Sequence, residues 1–213
     1  MRKALIVWGG WDGHTPRESA AIVADMLRGH DFDVTVSDST AAYADPDLGR
    51  TDLIVPMVTM SQIAKEELAG LTAAVRAGTG LAGFHGTMCD SFRTETEYQF
   101  MTGGQWVSHP GNIIDYTVNV TRPDDPVMAG IGDFPYRSEQ YYMHVDPSNE
   151  VLATTTFTGE HLADVAGVVM PVVWKRRYGQ GRVFYSALGH TAAEFAVPQM
   201  RTIFERGALW ASR

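Results

Sequence analysis

Ala4-Leu5-Ile6-Val7-Trp8 runs straight into Gly9-Gly10-Trp11-Asp12-Gly13-His14-Thr15-Pro16, and the segment Arg17 to Arg28 follows. A continuous apolar run of this length, without alternation, is what a strand covered on both faces requires. The next segment carries Ile22, Val23, Met26 and Leu27 as an apolar stripe, with Pro16 at the first helical position and Gly29 as a stop. Strand, glycine loop and helix in succession make the first unit of a parallel sheet.

The pattern repeats outward from there. Phe32 to Val36 reads as a second strand and Ser37 to Thr51 as a polar, acid-rich loop. Leu53 to Val58 reads as a third strand, in which Pro56 asks for a place near the end or at an edge. Ser61 to Arg76 is expected to be helical, because Ala64, Leu68, Leu71 and Val75 fall on one face. Gly80 to Phe84 is the fourth strand, and the chain turns sharply at His85-Gly86. Strands alternating with helices through short connections predict a doubly wound sheet with right-handed crossovers.

Between Glu95 and Ala166 the pattern loosens, with strands expected at Tyr116 to Val120, Tyr141 to Val145 and Val151 to Thr155. Val168 to Trp174 and Arg182 to Leu188 read as a hairpin around Gly179-Gln180-Gly181, and Pro198 to Trp210 as a closing helix. The expected fold is therefore α/β and flavodoxin-like, a mostly parallel sheet flanked by helices with an additional antiparallel portion. Residues 1–213 are read as one domain.

Composition narrows the function classes. With 25 acidic and 17 basic residues the net charge is −8, which repels phosphate backbones and argues against nucleic acid as a partner. Lys175-Arg176-Arg177 is too short a cluster to reverse this. No stretch approaches the roughly 20 apolar residues that cross a bilayer, and the apolar run after Met1-Arg2-Lys3 is too short for a signal peptide. The single cysteine, Cys89, cannot close an internal disulfide. The expectation is a soluble, cytoplasmic protein with no membrane partner, and homo-oligomerisation is left open.

In an open parallel sheet, ligands sit beyond the carboxyl ends of the strands. That rule sorts the seven histidines. His14 lies in the loop after the first strand, His85 directly after the fourth, and His190 directly after the strand ending at Leu188. His30 and His161 fall elsewhere and are set aside. Gly83-Phe84-His85-Gly86 has the shape of a nucleophile elbow with an imidazole where serine or cysteine would serve acyl transfer. At a helix start the imidazolium form is disfavoured, so a neutral ring is expected there. In Ser186-Ala187-Leu188-Gly189-His190, Glu194 follows four residues on and is expected to orient the His190 ring. In the first loop, Trp11 offers a flat face for a sugar ring, with Asp12 and His14 beside it.

Read as one strand, Ser138-Glu139-Gln140-Tyr141-Tyr142-Met143-His144 puts Glu139 and Tyr141 on one face and His144 on the other. Glu139 is taken for the site, with His144 as the alternative. Gly103-Gly104-Gln105-Trp106-Val107-Ser108-His109-Pro110 supplies a further loop histidine. His85, Glu139 and His190 are thus the candidate catalytic groups, and Trp11, Asp12, His14, His109 and Tyr141 the candidate substrate contacts. His14, His85, His109 and His190 are the candidate ligands of a divalent metal such as zinc, without any diagnostic short spacing. Cys89 as a thiolate nucleophile is the minor alternative.

At these motifs, together with Gly181-Arg182-Val183-Phe184-Tyr185, the chain resembles the trehalose-utilization ThuA-like family, part of the class I glutamine amidotransferase-like superfamily. The resemblance covers nearly the whole chain. It implies a flavodoxin-like sheet and a role in carbohydrate catabolism, often on disaccharides or their keto derivatives. The superfamily places a catalytic cysteine at the elbow and a His-x-Glu pair downstream. Here His85 stands at the elbow and Glu194 is displaced from that spacing, which argues against glutamine hydrolysis. Two functions follow as expectations: an enzyme acting on a sugar or keto-sugar by acid–base or metal-assisted chemistry, or a non-catalytic sugar-binding or regulatory subunit.

Overall fold

A computed structural model describes residues 1–213, and the order of its elements explains where the site forms. The chain begins β1 (Arg2–Gly10), α1 (Pro16–Arg28), β2 (Phe32–Ser37), β3 (Leu53–Thr59), α2 (Lys65–Arg76), β4 (Gly80–Phe84), α3 (His85–Cys89) and α4 (Thr96–Thr102). It continues β5 (Gly104–Ser108), β6 (Ile113–Val120), β7 (Phe134–Glu139), β8 (Tyr142–Val145), β9 (Glu150–Thr156), β10 (Val169–Tyr178), β11 (Gly181–Ser186) and α5 (Pro198–Ala211).

Nine strands form one sheet in the order β2-β1-β3-β4-β11-β10-β9-β6-β7. The first five are parallel and follow the flavodoxin-like order, with β11 as the fifth. The last four are added antiparallel. A separate ribbon pairs β5 with β8. The crossovers through α1 and α2 run in opposite directions along the sheet, so right-handed connections place those helices on opposite faces. One continuous core of 55 buried apolar side chains fills the space between.

Several expected boundaries shift for physical reasons. α2 starts at Lys65, where the Glu67 carboxylate accepts the backbone N–H of Ala64 and closes the first turn. Pro56 lies inside a fully buried strand, past the last β3–β4 pair at Ile54. There β3 keeps its pairing with β1, at Val7, and has no partner on its other side. The segment expected as one strand through Glu139 to His144 is two: β7 ends at Glu139, and β8 begins at Tyr142. α4 and β5 fill the stretch after Glu95 that showed no clear period.

Candidate functional site

The carboxyl edge of the parallel strands collects the imidazoles. Past β1 the chain makes a short helical turn over Asp12–His14, which buries His14. Its Nδ1 meets Thr59 Oγ1, at the end of β3, at 2.8 Å. β1 and β3 are the strands between which the winding direction reverses, so this is the switch point where ligands gather.

His85 follows β4 directly, is fully buried, and sits at φ 47°. Gly83 and Gly86 make that turn feasible: a Cβ on Gly83 would fall 2.4 Å from Met88 Sδ, and one on Gly86 would fall 2.5 Å from His14 Cε1. Tyr185 donates its hydroxyl hydrogen to the His85 carbonyl at 3.0 Å, and the Tyr141 hydroxyl lies 3.0 Å from His85 Nδ1. His190 follows β11. The rings of His14, His85 and His190 stand edge to face with centroids 4.9, 5.0 and 5.2 Å apart.

Glu139, at the end of β7, closes the group from the antiparallel side. Its Oε2 lies 3.3 Å from His190 Nδ1 and 3.5 Å from His85 Nε2, and its Oε1 lies 3.7 Å from His109 Nε2. His85 Nε2 and His190 Nδ1 are buried without a well-aligned hydrogen-bond partner. One ligand atom from each of His14, His85, Glu139 and His190 can be chosen so that all lie within 4.8 Å of one another.

Burial, reinforced by the neighbouring His190, lowers the His14 pKa to about 4. Burial and the other imidazoles push His85 well down. For Glu139 burial acts upward, but His190, His109 and His14 outweigh it and the carboxyl is held low. For His190 burial acts downward, and the Glu139 carboxylate overrides it and raises the pKa. The centre therefore holds neutral His14 and His85 beside an ionised carboxylate. The neutral state of His85 is set first by burial and then by the neighbouring imidazoles.

Three imidazoles and a carboxylate are the donor types of a zinc or similar divalent centre. Two of the rings have their second nitrogen fixed by a hydroxyl, Thr59 for His14 and Tyr141 for His85, the outer support that metal-binding histidines use. His85 Nε2 and His190 Nδ1 face only the Glu139 carboxylate, without a well-aligned hydrogen bond, and when deprotonated each offers a lone pair to a cation beside it. These residues fit a bound divalent cation.

Over the group opens a cleft of about 260 Å3, walled by Trp11, His14, Trp106, His109, Glu139 and Tyr141, with Met60, Asp90, Arg93 and Asn112 completing it. A larger hollow of about 510 Å3 at the β2 edge holds no imidazole. Against the sequence expectations, Asp12 is exposed and does not line the cleft. His109 lines the cleft but stands outside the compact donor group, where Glu139 takes its place.

Glu194 does not touch the His190 ring. It accepts the backbone N–H groups of Gly189 and His190 at 3.2 and 3.0 Å, and hydroxyls from Tyr136 and Ser138, so it fixes the loop instead. His144 is exposed on β8. Cys89 is buried, and burial pushes its thiol up, which removes it as a nucleophile. Thr59, Met60, Asp90, Arg93 and Asn112 carried no sequence signal that singled them out. Trp106 could have been found as the aromatic of the glycine-flanked loop that holds His109.

The sequence matches the family model described as ThuA, trehalose utilisation, over residues 3–211. Among solved structures, a protein described as ThuA-like from Parabacteroides merdae superposes with a TM-score of 0.80 at 18% identity, covering 99% of this chain and 89% of that one. A second so described, from Bacteroides uniformis, gives 0.79 at 19% identity, covering 98% and 89%. A cytoplasmic protein from Salmonella typhimurium gives 0.66 at 12% identity, covering 99% and 100%. No curated protein matches the chain. No helix here is long and apolar enough to cross a membrane.

Proposed function

The chain belongs to the ThuA family of trehalose utilisation, and from that premise we propose that it is a carbohydrate-catabolism enzyme acting on a sugar or keto-sugar at the His14, His85, Glu139 and His190 centre, with a divalent metal such as zinc held there. The observation that carries the reading is the convergence of these four donors within 4.8 Å, from four separate parts of the chain. Burying three imidazoles together serves stability poorly, since each leaves water and two leave a nitrogen unpaired. A bound divalent ion supplies Lewis acidity toward a carbonyl or a water.

The residues around it do the rest. Thr59 and Tyr141 fix the orientation of the His14 and His85 rings. Glu139, kept ionised, takes at Oε1, the oxygen that faces His109, the proton that the bound sugar gives up. His109 is partly exposed and passes that proton to the cleft. Trp11 and Trp106 offer apolar faces to a sugar ring. The cleft is smaller than the roughly 300–1,000 Å3 of pockets that enclose drug-sized ligands, which suits one ring inside with any second ring outside.

The test is elemental analysis of protein purified without added metal, followed by turnover of keto-disaccharides. About one divalent ion per chain, and loss of both ion and turnover in His85→Ala with an unchanged circular dichroism spectrum, is the expected result. Protein that takes up no ion even when supplied with zinc, with turnover indifferent to His85, overturns the proposal. Sugar binding without any turnover makes the chain a binding subunit.

A further inference from the structure

β6 and β9 are neighbours in the large sheet over two residue pairs only, Asn119 with Thr154 and Val120 with Ala153. Past these the strands separate, although each stays tied to its outer neighbour. β6 pairs with β7 back to Ile113, and β9 pairs with β10 out to Thr156. The far end closes again, because the His161 ring lies against Gly111, where a Cβ would fall 2.5 Å from His161 Cδ2. Between the two ends is an opening of about 360 Å3, within the roughly 300–1,000 Å3 of ligand pockets. None of the four donors of the histidine centre lines it.

The opening is polar because of how the strands part. The Thr121 N–H donates toward β9, to the Leu152 carbonyl at 2.9 Å, and alternate residues of an antiparallel strand direct their backbone groups the same way. Thr117 and Asp115 therefore turn their N–H and C=O toward β9, where no paired residue meets them. Gln140 lines the opening and is only 3% exposed. Its Nε2 donates to Thr155 Oγ1 at 2.7 Å and to the Thr156 carbonyl at 3.4 Å. Its Oε1 accepts no hydrogen bond from the protein, yet it is not one of the fully enclosed orphan atoms. That oxygen is left for something that enters the opening.

The lining narrows what enters. It contains no lysine or arginine, which argues against an anion. Of its two carboxylates, Asp115 is already matched by Arg137 at 2.7 Å and Glu160 is exposed, so neither calls for a cation. An opening closed at both ends does not let a peptide strand run through. Thr117, Thr156 and Thr158 add hydroxyls that both donate and accept, and Ile114 and Tyr116 add apolar surface. Such a mixture suits an uncharged molecule with many hydroxyls and a C–H face.

We propose that this opening is a second binding site, separate from the histidine centre, for a sugar ring or an open-chain polyol. Glu139 and Tyr141 line the cleft over the centre, and Gln140 between them lines the opening, so one short segment serves both sites from opposite sides.

The proposal stands apart from the chemistry of the histidine centre, and the experiment reports on each separately. D-glucose and D-sorbitol are titrated into isotope-labelled wild-type protein, Gln140→Met, Thr158→Trp and His85→Ala, with amide NMR signals followed residue by residue. Saturable shifts at Asp115, Thr117 and the Gln140 side-chain amide are expected with one or both ligands, and the one that binds more tightly identifies ring or open chain. His85→Ala should leave this response unchanged. Gln140→Met, close in length, should weaken it by about 3- to 10-fold through loss of one hydrogen bond. Thr158→Trp fills the opening from an exposed position and should abolish the response while the rest of the spectrum keeps its native pattern.

Wild-type signals at Asp115, Thr117 and Gln140 that stay fixed in both titrations overturn the proposal. So does a response that survives Thr158→Trp and Gln140→Met intact, or one that disappears in His85→Ala. Shifts at Trp11 and Trp106 report the cleft over the centre instead, and their absence counts against the sugar reading there and not against this site.

Discussion

Replacing Gly86 by alanine tests whether the histidine centre is built for binding rather than for stability. The new methyl carbon would sit 2.5 Å from His14 Cε1, 2.9 Å from the Tyr141 hydroxyl and 3.0 Å from His14 Nδ1. Reaching ordinary contact at 3.4 Å means moving the His14 ring by about 0.9 Å. The ring is tied to Thr59 by a 2.8 Å hydrogen bond, which a shift of that size breaks. Overpacking of this kind costs about 1–3 kcal/mol, while alanine in place of glycine in a helix returns up to about 1 kcal/mol. The net cost is then at most about 3 kcal/mol, or roughly 6–12 °C in melting temperature for a chain of this size.

Metal binding should weaken alongside folding. Loss of an outer hydrogen-bond partner of a ligating histidine costs about 10- to 100-fold in metal affinity. The assay is zinc competition against a chromophoric chelator, run beside thermal unfolding. Gly49→Ala is the control, because a Cβ there meets nothing within 4 Å. Gly86→Ala protein that holds zinc as tightly as Gly49→Ala protein would refute the reasoning.

Other outcomes follow from the same geometry. Asp125→Ala should cost about 3–5 kcal/mol in urea unfolding, because it strands the Lys175 ammonium, 7% exposed, without its partner; a loss under about 1 kcal/mol would show the pair to be solvated. Cys89 should resist iodoacetamide at pH 8 in the native protein and react once unfolded, since burial holds its thiol up; rapid native alkylation would contradict this. Asp146, whose carboxyl is lowered by the Ser148 hydroxyl and amide, binds fewer protons folded than unfolded. Its stabilisation is thus full above the ordinary carboxylate pKa and lost as pH falls through the lowered one. Asp146→Asn should cost about 1 kcal/mol at pH 7 and nothing in strong acid, so an equal cost at both ends would mean packing rather than charge.

What the sequence disclosed and what it withheld divide along a physical line. Strands buried on both faces are continuous apolar runs, and helices that cover them have one apolar face, so β1, α1, β4 and α5 could be read from local pattern alone. The strand-end rule then put His14, His85 and His190 at one edge before any contact was known. The antiparallel half is different. α4, β5 and β7 are half exposed and short, and their pattern dissolves into turns of proline, glycine and aspartate. Glu139 could be chosen as a carboxylate near aromatic residues, but not as the fourth donor, because its approach depends on the long-range β6–β7 pairing at Ile113 and Glu139. Arg93 was invisible for a related reason: its orientation depends on a buried aspartate three residues back and on Trp106 from another element.

The backbone itself marks where these two halves meet. Six residues other than glycine adopt positive φ, and five of them, Thr15, Met60, His85, Phe92 and Asn112, belong to or adjoin residues of the site, with only Asp31 elsewhere. Each such conformation costs on the order of 1–3 kcal/mol where the residue is not glycine. Glycine at those positions would relieve the strain, yet its flexibility would let the donors wander. The parallel strands deliver three imidazoles from fixed ends, and the strained junctions turn them inward toward a carboxylate carried by a strand of the opposite sense. Stability alone would favour relaxing those turns, so their concentration around one cleft is better explained by what the cleft must hold still.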